Sequence, residues 1–204
     1  MPNWKIHIEI AKRLNEKFNY KDIDKELFLL GSVLPDVNNG FIVEDISRKL
    51  EHKITHYNTA ENPSYIEFYN RYTNEMGKNP LITGYFVHLF TDYFWNNDFY
   101  TKYETRGNKE LTFKEKQKLK RGDFKRFNNN FHSNFIEMSD FNRMMEQIKK
   151  IDEVSITQED IKKVINFIKT QPKFKNEYNF YTDEELIGLL EDTVEEVKLF
   201  LKMN

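Results

Sequence analysis

His88 and Asp92 stand four residues apart in LITGYFVHLFTDYFWNNDFY, the most apolar stretch of the chain, with Gly84 four residues before them. On a helix these three positions form one stripe, while Tyr85, Phe86, Val87, Leu89, Phe90, Tyr93, Phe94 and Trp95 fill the rest of the circumference. A helix that is apolar nearly all round is a buried one, and an unpaired carboxylate inside it is costly. Asp92 therefore calls for a cation, and His88 one turn earlier suggests a metal ion shared by both. Gly84 would leave room for whatever occupies the groove. The competing reading is a buried His–Asp hydrogen bond that only orients two helices.

Further ligand types occur upstream. The chain has five histidines, at 7, 52, 56, 88 and 132. His7 near the start, Asp36 in GSVLPD and His56 in ITHYN supply nitrogen and oxygen donors of the kind zinc and similar ions prefer. Each has an ordinary alternative: a half-buried polar residue for His7, a Pro-Asp turn for Asp36. His52, four residues before His56, reads as solvent-facing.

The elements that must carry these groups are helical. Asn3 caps a helix through about Phe18, with Trp4, Ile8, Ala11 and Leu14 at helical spacing. A second helix runs from Asp24 through LFLLGSVL to Pro35, leaving Asp36 just past its buried end. A short amphipathic stretch covers 43–50, and helix resumes after Pro63. Asn79-Pro80 is an N-cap and first-turn pair for the long helix to about 100. Thr112 opens a basic helix to about Lys120 that Gly122 breaks, and another follows from Asp123 to about Lys150. Thr157 and Thr182 begin two more; Thr182 with Glu185 has capping-box spacing, and Leu186, Leu189, Leu190, Val194, Val197 and Leu201 share one face.

Composition agrees. The 204 residues are 39% hydrophobic and 31% charged, with only 7 Gly and 5 Pro, which favours helices over many short strands and excludes disorder. Eighteen Phe and 11 Tyr let a chain of mean hydropathy −0.76 bury a sizeable core. The expectation is one all-α domain over residues 1–204, a multi-helix bundle. A net charge of −2 gives no global field toward nucleic acid or an anionic bilayer. Zero cysteines exclude disulfides, thiolate sites and cysteine nucleophiles and fit a reducing compartment. Lys5, His7, Glu9 and Lys12 interrupt any leader-like apolar run, and no 18-residue apolar run occurs, so a cytoplasmic protein without a transmembrane segment is expected.

Taken in order, W-x-x-H, L-P-D, T-H-Y and G-x-x-x-H-x-x-x-D resemble the zinc-dependent phospholipase C family and, more distantly, the zinc-dependent single-strand nucleases. Both are all-helical enzymes with up to three zinc ions. The resemblance covers roughly residues 1–100, and GYFVHLFTDYFW looks like the family's central helix. It implies that His88 and Asp92 are the HxxxD ligand pair, Asp92 bridging, with Asp36 and His56 completing that ion's shell and His7 with Asp92 holding a second. Trp4 is similar to a tryptophan whose terminal amine and carbonyl bind metal in secreted members, but here it stands behind Met-Pro-Asn.

Secreted members continue with another His and a second His-x-x-x-Glu, which do not occur here in that form. Asp98, Asp123 and His132 are the residues that could serve further metal or substrate, or be polar residues on helix faces. KELTFKEKQKLKRGDFKRF carries eight Lys or Arg against three Asp or Glu, a solvated face or a lure for phosphate. The phosphate-loop, dinucleotide, serine-hydrolase and HExxH signatures are missing, as is an adjacent His-Asp.

The resemblance thus implies a phospholipase C-like phosphoesterase. It would use one to three zinc ions, or manganese or iron, to activate water, with Asp36 as a ligand that can double as general base. Its substrate would be a phospholipid headgroup or small phosphate ester. The alternative is a non-catalytic helical binding or scaffold module with a structural metal or His-Asp network.

Overall fold

In the computed structural model the described residues are 2–40, 43–57, 64–106, 110–132, 137, 139–175 and 180–202. They form helices α1 (Trp4–Phe18), α2 (Asp22–Gly31), α3 (Leu34–Val37), α4 (His52–Thr55), α5 (Ser64–Arg71), α6 (Pro80–Lys102), α7 (Phe113–Phe127), α8 (Phe141–Ile148), α9 (Gln158–Thr170) and α10 (Asp183–Phe200), and no strand is present among them. The all-α class expected from sequence holds. No described helix is long and apolar enough to cross a membrane.

α6 is the axis. The Asn79 side chain accepts from the backbone N–H of Leu81 and Ile82, Pro80 supplies the first turn, and every residue from Pro80 to Asp92 is buried. α2 and α5 pack along it, and α1, α3 and α10 close around it. The Thr112–Glu115, Thr157–Asp160 and Thr182–Glu185 capping boxes open α7, α9 and α10.

Three local expectations are corrected. Gly122 does not break α7, which runs through it to Phe127, because the apolar stripe continues into buried Phe124 and Phe127 and outweighs one glycine's propensity cost of about 1 kcal/mol. Among the described residues the α-helix stops at Phe127, a 3-10 turn follows at Asn128–Asn130, and α-helix begins again at Phe141. The second helix stops at Gly31 and not at Pro35, so Asp36 lies inside α3 and not just past that helix's end; Asn38 then ties down the amphipathic stretch 43–50 through Arg48 O at 2.8 Å and the Leu50 N–H.

The third concerns Gly84. Its missing side chain makes room for the backbone of α2 and not for a ligand: a Cβ on Gly84 would lie 2.1 Å from Phe28 O, and one on the facing Gly31 2.2 Å from Leu81 O. The two glycines let α2 and α6 touch backbone to backbone, which brings Ser32 and Asp36 up to His88. Gly84→Ala should therefore destabilise the fold by about 2 to 3 kcal/mol, the upper end for overpacking, read in a urea melt. An unchanged midpoint would show that the helices separate at no cost.

Candidate metal centre

Five side chains from three helices and the end of a fourth converge on the middle of α6. His7 (α1) and His88 (α6) are fully buried, and their rings stack with centroids 4.0 Å apart. Asp36 (α3), His56 (following α4) and Asp92 (α6) are no more than 5% exposed.

The hydrogen-bond pattern fixes which ring nitrogens face inward. α2 ends at Gly31, so the Ser32 carbonyl has no helical partner, and His88 Nδ1 lies 2.8 Å from it. A carbonyl only accepts, so Nδ1 carries the proton and the His88 Nε2 presents its lone pair to the cluster. Thr55 donates to His52 O at 3.4 Å, and its oxygen, 2.9 Å from His56 Nδ1, accepts from that nitrogen; the Nε2 of His56 is then also a lone pair. These two Nε2 atoms lie 3.2 Å apart, an arrangement that needs a proton or a cation between them.

The carboxylates surround the same point. Asp92 Oδ2 is 3.6 Å from both His56 Nε2 and His88 Nε2, and Asp92 Oδ1 is 3.3 Å from His7 Nε2. Asp36 Oδ1 is 3.4 Å from His56 Nε2 and Asp36 Oδ2 3.9 Å from His88 Nε2. Yet both Asp92 oxygens and both His7 nitrogens are buried without a hydrogen-bond partner. Buried polar groups are rarely left so, and each costs about 1 to 3 kcal/mol. Asp36, by contrast, is oriented from behind: Trp4 Nε1 donates to Oδ2 at 2.9 Å and Asn39 Nδ2 to Oδ1 at 3.0 Å.

Electrostatics follow the same geometry. Burial, reinforced by the charge of His7, pushes His88 down to about 3. Burial pushes Asp92 up, but His88 and then His7 outweigh it and hold it down to about 2. Burial pushes Asp36 up, but its contact with His56 and the charges of the neighbouring imidazoles outweigh it and draw Asp36 well below the carboxylate range. His56 is raised, because its contacts with Asp36 and Asp92 overcome desolvation.

His52 belongs to the same neighbourhood. Its ring stacks on His56 at 3.7 Å, and it offers a ligand atom within 4.8 Å of atoms of Asp36 and His56; His7, His88 and Asp92 form the other such group. The His52–His56 spacing of four carried that signal, but on a four-residue helix it gives no clue to burial.

The remaining expected residues lie elsewhere. Trp4 contributes an indole N–H, which donates and has no lone pair for a metal, so its side chain orients Asp36. Asp98, about 9 Å along α6 from Asp92, accepts from Tyr181 Oη at 2.9 Å and pairs with Lys102 at 2.6 Å. Asp123 is fully buried, and its Oδ2 accepts from the Phe180 and Tyr181 N–H groups at 2.8 and 3.0 Å, tying α7 to the entry of α10. His132 is exposed. None of the three joins a ligand group among the described residues.

The model of the family described as zinc dependent phospholipase C matches residues 6–151. The chain belongs to the zinc-dependent phospholipase C family. The match contains His7, Asp36, His56, His88 and Asp92, runs well beyond the first hundred residues in which the resemblance was read, and leaves out α9 and α10. No curated protein and no solved structure matches the chain. The family name implies zinc dependence, and the donors here fit it: inward imidazole nitrogens, two ionised carboxylates and orphaned buried oxygens suit a borderline cation.

Proposed function

We propose that this chain is a metal-dependent phosphoric ester hydrolase of phospholipase C type. The observation that carries the reading is the group of buried, unpartnered ligand atoms on His7 and Asp92, facing the inward Nε2 atoms of His56 and His88. In this reading His56, His88, Asp36 and Asp92 hold one zinc ion and His7 with Asp92 a second; the same donors also accept manganese or iron. Bound there, zinc supplies the Lewis acidity that makes water a nucleophile near neutral pH and neutralises charge on phosphoryl oxygens.

The chain's own residues set up the rest. Ser32 and Thr55 lock the His88 and His56 tautomers through Nδ1, the outer-shell role usual around ligating imidazoles. Trp4 and Asn39 hold the Asp36 carboxylate, whose remaining lone pairs accept a proton of the attacking water. Because Asp36 stays ionised far below neutral pH, it acts more by orienting water than by keeping the proton. The substrate we favour is a phospholipid headgroup, with other small phosphate esters second. One cytoplasmic domain over residues 1–204 completes the proposal.

Hydrolysis of bis(p-nitrophenyl) phosphate tests it. Turnover should appear with added zinc, vanish with chelator and return on reconstitution, and p-nitrophenyl phosphorylcholine should be cleaved faster than p-nitrophenyl phosphate. Zinc-loaded, folded protein with no turnover of any of the three would refute the hydrolase reading.

A further inference from the structure

Lys120 is 4% exposed, lies on the inward face of α7, and has no carboxylate within 4.0 Å among the described residues. Its ammonium meets Asn96 Oδ1 at 3.2 Å and sits 4.1 Å from the centre of the Phe99 ring. The neighbouring buried lysine shows what a purely structural role looks like: Lys116 Nζ donates at 2.6 Å to the carbonyl of Tyr103, the C-cap of α6, where a helix end attracts positive charge. Lys120 has one neutral oxygen and the faces of Phe99 and, at 5.8 Å, Phe124, which leaves N–H donors without an oxygen partner and the charge without a carboxylate in contact.

Its position relates it to the cluster. At 100° per residue, His88, Asp92, Asn96 and Phe99 fall within about 80° of one another around α6, so the two groups touching Lys120 continue the stripe that carries His88 and Asp92. Asn96 is one turn, about 6 Å, beyond Asp92. The phenyl ring of Phe99 leans back toward that turn, as long helical side chains do. Lys120 feels the Asp92 charge, although burial dominates and lowers the ammonium to about 8.

Charge balance gives the position a meaning. One divalent ion held by Asp36 and Asp92 is neutralised by those two carboxylates, so the Lys120 charge remains as surplus along the stripe. A second ion only increases the excess. A buried surplus of positive charge with unfilled hydrogen-bond donors is complementary to an anion with several acceptor oxygens.

From this juxtaposition we propose that Lys120, with Asn96 beside it, is the phosphoryl-anion site of the protein, binding the non-reacting oxygens of the substrate or of its phosphate product. This rests on the metal-centre reading above. The bound group is a phosphoryl oxyanion, whether of a lipid headgroup or of free phosphate. Lys120 is assigned to binding and positioning, with no part in proton transfer.

The test uses the full chain loaded with zinc and titrated with two probes, inorganic phosphate and glycerophosphocholine, by isothermal calorimetry, with zinc per chain determined on each sample. Lys120→Met should weaken at least one probe by about tenfold or more, and Lys120→Arg should stay within about threefold of the parent, because loss of one charge-assisted hydrogen bond is worth that much. Weakening of the phosphate arm assigns the free anion, and weakening of only the glycerophosphocholine arm assigns the headgroup. Should Lys120→Met fail to fold, Lys120→Gln, which keeps a polar N–H donor and loses the charge, carries the same expectation. Zinc-replete Lys120→Met that binds both probes as tightly as the parent overturns this site and leaves the metal centre standing. So does a zinc-replete parent that binds neither. A parent that takes up no zinc overturns both readings.

Discussion

Asp92→Asn should lower zinc-dependent hydrolysis of bis(p-nitrophenyl) phosphate by about a thousandfold, roughly 4 kcal/mol of transition-state stabilisation, while the protein stays folded. Asp92 is the group closest to the centre of the cluster, since its two oxygens lie within 3.6 Å of Nε2 atoms on His7, His56 and His88. Asparagine keeps its volume but removes the charge that balances a divalent cation. It also removes an ionised carboxylate that, against its burial, His88 and then His7 hold at about 2, so the metal-free variant should lose roughly 2 kcal/mol of stability. His88→Ala should match the loss of activity and also destabilise, by about 2 to 4 kcal/mol, because it opens a cavity against His7 and strands the Ser32 carbonyl. Circular dichroism melts beside the assay distinguish the two. Equal activity of Asp92→Asn and parent would remove Asp92 from the centre.

Metal-free protein should lose stability as pH falls through the range from about 6.5 to 3. The His88 ring is held at about 3 in the fold against an ordinary value of 6.5, so the unfolded chain takes up a proton that the folded chain refuses. Its contribution is fully present above 6.5 and is lost progressively toward 3, on the order of 4 kcal/mol in all. At pH 4.5 the loss is about 3 kcal/mol, which for a chain of this size is roughly 5 to 10 °C in Tm. Asp92, held at about 2 against 3.8, adds a loss in the same direction between those values, and Asp36 follows at still lower pH. His56 works the other way: its raised value contributes stability that is present below 6.5 and lost as pH rises through its folded value. Stability of the chelated protein should therefore peak between these regimes and fall steeply on the acid side. Melts at pH 7.5 and 4.5, repeated on His88→Gln, check it: the parent should lose more melting temperature on acidification than the variant, and an equal change in the two would contradict the buried neutral imidazole.

How much of this was legible in the sequence depended on whether a signal was local. The HxxxD stripe on α6 was readable because helical periodicity fixes which side chains share a face, and Asn79-Pro80 marks where that helix begins. His7, Asp36 and His56 were nameable as donor types, but their convergence on α6 needs contacts across 32 to 85 residues that no periodicity encodes. Gly84 misled because a small residue reads equally as space for a ligand or for a backbone, and only the facing Gly31 decides. Asp123 misled for a related reason: its two acceptor bonds go to N–H groups at 180 and 181, which sequence spacing does not bring near. Trp4 was singled out through its spacing to His7, while its contact with Asp36 is visible only in three dimensions. His52 was missed because a single turn of helix has too few residues to define a buried face. The family match across 6–151 reaches past all of these local signals, through α7 and α8.

Metal content per chain, measured by mass spectrometry on protein purified without chelator or histidine tag with Asp92→Asn run in parallel, tests the central claim most directly. The account predicts near-stoichiometric zinc, or another divalent transition metal, in the parent and its loss in the variant. Folded parent protein that carries no metal and takes up none on reconstitution would contradict it and leave His7, His56, His88, Asp36 and Asp92 as a buried polar core.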